Sequence, residues 1–344
     1  MRFETRKKIS VARSYIVGMP STALNNWCVK VPKLQGEHVR RELNELGILD
    51  ERHKIELRHG QLYIPVKGRP RGLRYGLITC ASKPRPQVLR RKLGIRYDVI
   101  GDIAILSWFK GVHAAAQELL ETRKDVNVVL AATSSVSGQY RLKNLTFIAG
   151  ERRTQTLHKE YGCKLQVDVA SAYFSPRLAT ERHRIVCLAQ VNETVVDMFA
   201  GVGPFTVLLA KKVKKGIAFE KNPLAFRCLQ RNIKLNNLHN VEALSGDAED
   251  LARKFKGAAN RVIMDLPHSA FNFLDDAGRM LSGRGGVVHY YDAKPENEFA
   301  QTVKRVREAV DRSNRTVESI SFKKVRSYAP RQYHIVLDIK ISPL

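Results

Sequence analysis

The sequence predicts an α/β protein built on a doubly wound, mostly parallel sheet with an antiparallel C-terminal hairpin. A middle α+β domain and a small β-α-β-β N-terminal module precede that sheet. Three observations predict this arrangement. Residues 194–205, Thr-Val-Val-Asp-Met-Phe-Ala-Gly-Val-Gly-Pro-Phe, read as strand, glycine turn and helix start, with Pro204 at the first helical position. After Gly203, β-forming runs alternate regularly with helical ones, the pattern of strands joined by crossover helices. Between Lys67 and Lys92 the texture changes to a basic, proline-containing run without an acidic residue, which separates the module from the remainder.

Residues 1–25 carry few apolar side chains and no period, and are expected to form a basic arm. The module, residues 26–67, starts with a strand at Trp27–Val31 and a helix at Gly36–Leu46, whose Val39, Leu43 and Leu46 fall at helical spacing. Lys54–Leu57 and Gln61–Val66 are strands around a hairpin turn at His59-Gly60. Residues 68–93 are expected to be a basic linker whose charge suits phosphate contacts, although a merely solvated linker would read the same.

The middle domain, residues 94–185, opens on the strand-like run Tyr97–Trp108. A helix at Val112–Leu120, a strand at Val126–Ala131 and a small-residue turn at Ser134–Gly138 follow. Arg141 begins a strand-like run through Ile148, and Lys164–Val169 is a further strand. Ser175 as N-cap and Pro176 at the first position start a helix that runs through Leu188.

The last domain, residues 186–344, has strands at Thr194–Asp197, Ile217–Glu220, Val241–Leu244, Arg261–Asp265 and Gly286–Tyr291. Helices are expected from Pro204 and at Pro223–Asn236, Ala248–Phe255, Ser269–Leu281 and Glu296–Val310. Two late strands, near Thr316–Val325 and Tyr333–Ile339, have no helix between them and suit an antiparallel edge hairpin.

Lys and Arg outnumber Asp and Glu 59 to 33 in 344 residues, a formal net charge of +26 that favours a polyanionic partner, most commonly nucleic acid. No apolar run approaches the ~18 residues a membrane span needs, and the basic N-terminus lacks the apolar region of a signal peptide. A cytoplasmic monomer without membrane contact is expected. Cys28, Cys80, Cys163, Cys187 and Cys228 show neither C-x-x-C nor zinc-type spacing, so they read as reduced, mostly buried thiols, and no metal site is expected.

Four acidic residues end consecutive strands or follow them directly: Asp197, Glu220, Asp247 and Asp265. In a doubly wound sheet that is where a ligand sits. One such carboxylate is commonly only a helix cap; four in register are more than capping requires. Thr206 stands where the dinucleotide fingerprint wants its third small residue, so the glycine turn is not that motif. An Asp four residues before G-x-G instead resembles the first motif of Rossmann-type S-adenosylmethionine methyltransferases. Glu220 is placed to accept from ribose hydroxyls and Asp247 from an adenine amino group.

Residues 173–182 (Tyr-Phe-Ser-Pro-Arg-Leu-Ala-Thr-Glu-Arg), 197–205, 262–267 (Val-Ile-Met-Asp-Leu-Pro), 289–291 (His-Tyr-Tyr) and 326–331 (Arg-Ser-Tyr-Ala-Pro-Arg) complete the pattern. Together, and in this order, they resemble the archaeal and eukaryotic tRNA (guanine-37-N1)-methyltransferase family, from about Trp27 to the C-terminus. The resemblance implies a Rossmann-type class I methyltransferase domain, S-adenosyl-L-methionine as cofactor, and tRNA as partner through its anticodon loop and outer corner. It implies a cofactor site of Tyr173, Asp197, Phe199, Ala200, Gly201, Gly203, Phe205, Glu220, Lys221, Asn222, Asp247, Ala248, Asp265 and Pro267. It makes Glu181 the general base for the guanine N1 proton and Arg141 the stabiliser of charge on O6. Arg177 and Arg182, with Lys67, Arg69, Arg71, Arg90 and Arg91 of the linker, would contact RNA.

The bare residues also allow a surface pair between Arg177 and Glu181 and a phosphate-binding Arg141. Asp265 departs from the family, which usually has Asn there. Its role stays open between accepting from the guanine N1–H or amine and acting as a protonated acid. That departure keeps a wyosine-pathway enzyme on the same scaffold as a rival reading, methylating a tricyclic base or transferring an aminocarboxypropyl group. A non-catalytic RNA-binding protein is the reading from another class.

Overall fold

The structure, a computed structural model, describes residues 25–51, 53–70, 73–81, 95–311 and 315–344. The chain divides into two units, Met1–Lys92 and Leu93–Leu344. Residues 1–24 of the expected arm, and Arg71, Arg90 and Arg91 of the expected linker, lie outside the described residues.

In the first unit, β1 (Asn25–Pro32) is followed by the helix Gly36–Glu45, then β2 (Glu56–Arg58), β3 (Gln61–Val66) and β4 (Leu77–Ala81). The strands form one antiparallel sheet in the order β2-β3-β1-β4. Val29, Val31 and Ile64 from the sheet meet Val39 and Leu43 of the helix in a small core. His59 and Gly60 both adopt positive φ, 48° and 75°, as a tight two-residue hairpin turn requires.

Two sequence expectations are corrected here. The stretch taken as linker contains β4, which pairs with β1 and packs Leu77 against the core. Its Leu-Ile-Thr-Cys run is a β-former that the surrounding Arg and Lys residues obscure. Cys28 and Cys80 are joined by a disulfide across 52 residues of sequence, because antiparallel pairing sets β1 beside β4. Cys163 and Cys228 are free and buried, and Cys187 is free and exposed.

The second unit begins with β5 (Tyr97–Ile100), β6 (Ile103–Ser107), β7 (Val128–Ala132) and β8 (Leu145–Gly150), paired in that order. The run read as one strand, Tyr97–Trp108, folds back at Gly101-Asp102 into the β5–β6 hairpin. The helix Val112–Thr122 makes the crossover that parallel β6 and β7 need. β9 (Gln155–Glu160) and β10 (Cys163–Asp168) form a separate hairpin, of which only the second strand was legible.

The edge of β10 is satisfied by two side-chain amides. Asn232 Oδ1 accepts from Gln166 N at 2.6 Å, and its Nδ2 donates to the Gln166 carbonyl at 3.0 Å and the Val202 carbonyl at 2.8 Å. Asn236 pairs likewise with the backbone of Lys164, at 2.9 and 2.7 Å. Each amide serves as one peptide unit of an absent neighbouring strand. These bonds tie the hairpin to the helix Pro223–Leu235.

The main sheet comprises β11 (Thr194–Asp197), β12 (Lys215–Glu220), β13 (Val241–Ser245), β14 (Arg261–Met264), β15 (Gly286–Pro295), β16 (Val317–Ala329) and β17 (Gln332–Ile341). Its order is β13-β12-β11-β14-β15-β17-β16. The first five positions are parallel, and β17 inserts antiparallel between β15 and β16. Ile217–Phe219 and Val262–Met264 are buried without alternation, as strands covered on both faces must be. The chain turns outward in opposite senses from β11 and β14, so a crevice opens between their carboxyl ends.

Ser175 is the extended N-cap residue with Pro176 following it, as expected, but its side chain makes no cap bond, and a short 3₁₀ turn, Pro176–Leu178, leads into the helix Ala179–Leu188. Among the described residues no helix is long and apolar enough to cross a membrane.

The disulfide predicts that the denatured, unreduced protein exposes three reactive thiols and the reduced protein five. Five before reduction would show the bond absent. Replacing both Cys28 and Cys80 with Ser is expected to destabilise the first unit by up to ~4 kcal/mol, the chain-entropy value for a loop of this length.

Candidate active site

At the carboxyl ends of β11 to β14 a cavity of 820 Å³ opens in the second unit. It brings together Arg141, Tyr173, Phe199, Gly201, Glu220, Lys221, Asn222, Asp247, Ala248, Asp265 and Pro267 from the expected set. Asp197, Ala200, Gly203 and Phe205 support it from behind without lining it. Ala200 and Phe205 are buried in the core, Phe205 against the Tyr291 ring at 5.9 Å.

The two glycines of the turn do different work. Gly203 has φ 86°, which favours glycine, and a Cβ there would also press on Leu229 Cδ1 at 2.5 Å. Gly201, at φ 58°, would direct a Cβ into nearly open space, with only the Tyr173 carbonyl at 3.8 Å. Its bare backbone faces the cavity, where a ligand can approach closely. The Gly201 N–H donates to Glu220 Oε2 at 2.6 Å and the Asn222 N–H to Glu220 Oε1 at 2.7 Å, fixing that carboxylate at the cavity wall.

The Asn222 side chain is committed to the fold. Its Oδ1 caps the helix Pro223–Leu235 and its Nδ2 donates to the Ser171 carbonyl at 2.7 Å. Asp247 combines a cap with a place in the wall: Oδ1 accepts from Glu249 N, and Oδ2 from Lys221 Nζ at 2.6 Å.

Negative charge crowds the β11–β14 end. Burial, then the charge of Asp265, pushes the Asp197 carboxyl up to about 7, although the Thr206 hydroxyl donates to its Oδ2 at 2.7 Å. Among the described residues, Asp197 Oδ1 has no hydrogen-bond partner. Burial also raises Glu220. For Asp265 burial acts in the same direction, but His334 first, then Arg141 and Arg182, outweigh it and hold the carboxyl below its usual range. Neighbouring carboxylates are thus driven apart in acidity. The crowded carboxylates suit a cationic group of a ligand.

Arg141 lies in a turn, with φ 55°, and not at the start of a strand as read from sequence; β8 begins at Leu145. Its guanidinium sits 4.6 Å over the Tyr173 ring. His268 lines the cavity beside Pro267; Phe273, Arg326, Tyr328 and His334 also line it and were missed. The 326–331 motif contained two of them, but without tertiary contacts its side chains carried no role, and His334 reads as a lone histidine in an apolar strand.

Glu181 is 4% exposed and does not line the cavity. Arg184 donates to both of its oxygens at 2.6 and 2.9 Å, Tyr291 Oη to Oε1 at 2.8 Å, and Lys323 Nζ to Oε2 at 3.3 Å. Arg182, expected to meet RNA, is corrected: it is 1% exposed and donates to both Glu160 oxygens, at 2.7 and 2.6 Å. Removing its charge from water demands such a pairing, which leaves the side chain no RNA-facing surface.

Arg177 is 46% exposed and donates to Asp98 at 2.6 Å. In the first unit, Lys67 Nζ donates to the Gly47 carbonyl at 2.9 Å and Arg69 stacks over Trp27 at 5.0 Å. A second hollow, of 800 Å³, is lined by Asp102, Arg153 and Thr156, which bond to one another.

Because the folded protein holds the Asp197 proton up to about pH 7 and the unfolded chain releases it near pH 4, this group loses stabilising effect as pH rises between them. The stability of wild type relative to Asp197→Asn should therefore fall across that window and level off above it. Equilibrium unfolding of both proteins from pH 4 to 8 checks this; a pH-independent difference would refute the raised carboxyl.

Residues 156–318 match the TRM5/TYW2 methyltransferase domain, and residues 28–74 match the tRNA methyltransferase 5 N-terminal domain. The tRNA (guanine(37)-N(1))-methyltransferase Trm5b of Pyrococcus abyssi is 42% identical over 330 residues, covering 91% of this chain and 98% of the relative. A solved complex of aTrm5 with tRNALeu is similar at 33% identity and a TM-score of 0.64, covering 91% of this chain and 99% of the other. Methanocaldococcus jannaschii TYW2 in complex with AdoMet is similar at 32% identity and a TM-score of 0.58, covering 72% of this chain and 100% of the other. With this extent of similarity across both units, the chain belongs to the TRM5/TYW2 methyltransferase family.

Proposed function

We propose that the chain transfers the methyl group of S-adenosyl-L-methionine to N1 of guanosine 37 in tRNA. The observation that carries this reading is one cavity joining the carboxylates Glu220, Asp247 and Asp265 to the Arg141–Tyr173 stack. Similarity to Trm5b over nine-tenths of the chain supports it. So does the N-terminal match at residues 28–74, a part of the chain that favours guanine methylation over the wyosine reading. The TYW2 relative covers only 72% of this chain.

The cofactor, when bound, supplies an electrophilic methyl group on a positively charged sulfur. Its charge complements the crowded Asp197, Glu220 and Asp265. Glu220 accepts from ribose hydroxyls and Asp247 from the adenine amine. Arg141 donates to the guanine O6 as charge develops there. Glu181 takes the N1 proton, exchanging its exposed partner Lys323 for the base. The target base leaves its stack to reach this cavity.

We assign the anticodon loop to the second unit, with residues 94–185 as catalytic support and 186–344 as the cofactor domain. The outer corner of tRNA is assigned to the first unit. Arg177, Lys67, Arg69, Arg71, Arg90 and Arg91 contact phosphates, and the enzyme acts as a cytoplasmic monomer.

Labelled S-adenosyl-L-methionine and unmodified tRNA bearing G37 should give 1-methylguanosine on nucleoside analysis. Label entering only tRNA with a tricyclic intermediate would favour the wyosine reading instead. Glu181→Gln preserves packing while removing the base, so single-turnover methyl transfer should fall by roughly 10²–10⁴ with tRNA affinity retained. An unchanged rate removes Glu181 from the mechanism. Affinity for tRNA should drop steeply with salt, and a flat dependence would count against the basic contacts.

A further inference from the structure

The chain has two tryptophans, and the fold treats them differently. Trp27 packs partly buried on the core of the first unit, under the Arg69 guanidinium. Trp108, in the second unit, is 52% exposed and does not line the cavity. Its ring stands nearly perpendicular to the exposed His113 imidazole, 86° at 6.4 Å between centroids, a contact too slight to cover an indole. One exposed apolar side chain is ordinary on a protein surface. What distinguishes Trp108 is its place.

Trp108 follows β6, and its N–H donates at 3.0 Å to the carbonyl of Ala132, the last residue of β7. Directly after Ala132 the chain enters the loop whose residues Ser135–Arg141 line the cavity. Thr133 N donates to the Asn144 carbonyl at 2.9 Å, and Asn144 N to Ser134 Oγ at 2.9 Å, closing that loop at its neck. The indole therefore sits at the root of the loop that carries Arg141 and the exposed Tyr140. On the other side, Gly111 at φ 100° turns the chain tightly into the helix Val112–Thr122. The bond to Ala132 and this turn fix the tryptophan backbone, so a ring stacking on it costs little ordering.

The surroundings are cationic. Lys110, two residues on, is exposed. β5 runs antiparallel to β6 with Tyr97 opposite Leu106, so the exposed Arg96 just before β5 reaches the same end of the sheet as Trp108. Arg177 joins this face through Asp98 of β5. An open aromatic plane among arginine and lysine side chains matches single-stranded nucleic acid, whose bases stack on the ring while its phosphates meet the cations.

We propose that Trp108 is a stacking platform for a second base of the tRNA anticodon loop, a neighbour of guanosine 37. This rests on the guanosine-37 reading above and adds a contact outside the cavity. When the target base leaves its stack, the bases beside it lose a stacking partner. An indole face at the root of the cavity loop replaces that partner. The platform uses only the π-face of the base and so accepts any of the four.

The test reads Trp108 emission and tRNA affinity together. Trp27→Phe leaves Trp108 as the only tryptophan. Unmodified tRNA bearing G37 should quench its emission. Among tRNAs in which each anticodon-loop nucleotide other than 37 is replaced in turn by an abasic residue, one should no longer quench. Trp108→Ala should weaken tRNA binding about 5- to 100-fold, and Trp108→Tyr, which keeps an aromatic face, should restore most of it. The abasic tRNA that escapes quenching should bind wild type more weakly than intact tRNA, but Trp108→Ala no more weakly. Because the lost contact carries no charge, the slope of log affinity against log salt should be equal in wild type and Trp108→Ala. Each variant is admitted on a wild-type melting curve, and the abasic series on wild type carries the test if Trp108→Ala does not fold.

Emission unmoved by bound tRNA, quenching that survives every abasic substitution, or wild-type affinity in a folded Trp108→Ala overturns the proposal. If wild type binds tRNA but forms no 1-methylguanosine, the guanosine-37 reading itself fails, a distinct outcome.

Discussion

The structure depends first on where it leaves negative charge. Three carboxylates, Asp197, Glu220 and Asp265, converge at the carboxyl ends of β11, β12 and β14, in a protein whose formal net charge is +26. Burial raises two of them, with repulsion from Asp265 adding to it at Asp197, while nearby cations hold the third ionised. Local compensation is spent selectively. Thr206 gives Asp197 one hydroxyl, backbone amides hold Glu220, and Asp265 meets an imidazole. Carboxylates crowded this way favour a cationic group.

A second constraint fixes the surroundings of that site. Arg261 pairs with Glu193 and with the buried His289, His289 Nδ1 lies 2.6 Å from Asp338, and Asp338 accepts from Arg184, which in turn holds Glu181. The chain of contacts links β14, β15 and β17 to the helix Ala179–Leu188. Each buried charge in it is paired, so losing one member would strand its neighbour at a larger cost than the pair contributes. The network positions the helix, and with it Glu181, against the sheet. It holds Glu181 through Arg184 and Tyr291, outside the cavity lining.

Much of the fold was legible in the sequence. The run before the glycine turn and the alternation after Gly203 together located the strands of the main sheet, because strands buried on both faces stand out as apolar runs between helices. The C-terminal hairpin followed from two strands lacking a helix between them. The misread parts were those decided by non-local pairing. β4 was hidden among basic residues, the β5–β6 hairpin was read as one strand, and β9 acquired its extended form by pairing with β10.

For the site, residue types in sequence order pointed to the cavity wall: acidic residues at strand ends and glycines in the turn before a helix have a local physical reason to be there. Tertiary structure alone decided which of them face the cavity. Asp197 and Phe205 belong to the same motif as Gly201 yet turn into the core, and Arg182, a basic residue beside Glu181, is buried on Glu160. The joining of Cys28 to Cys80 and the approach of His334 to Asp265 across β15 were likewise invisible. Local sequence fixes propensity and charge, whereas burial, pairing and acidity depend on neighbours that only the folded chain supplies.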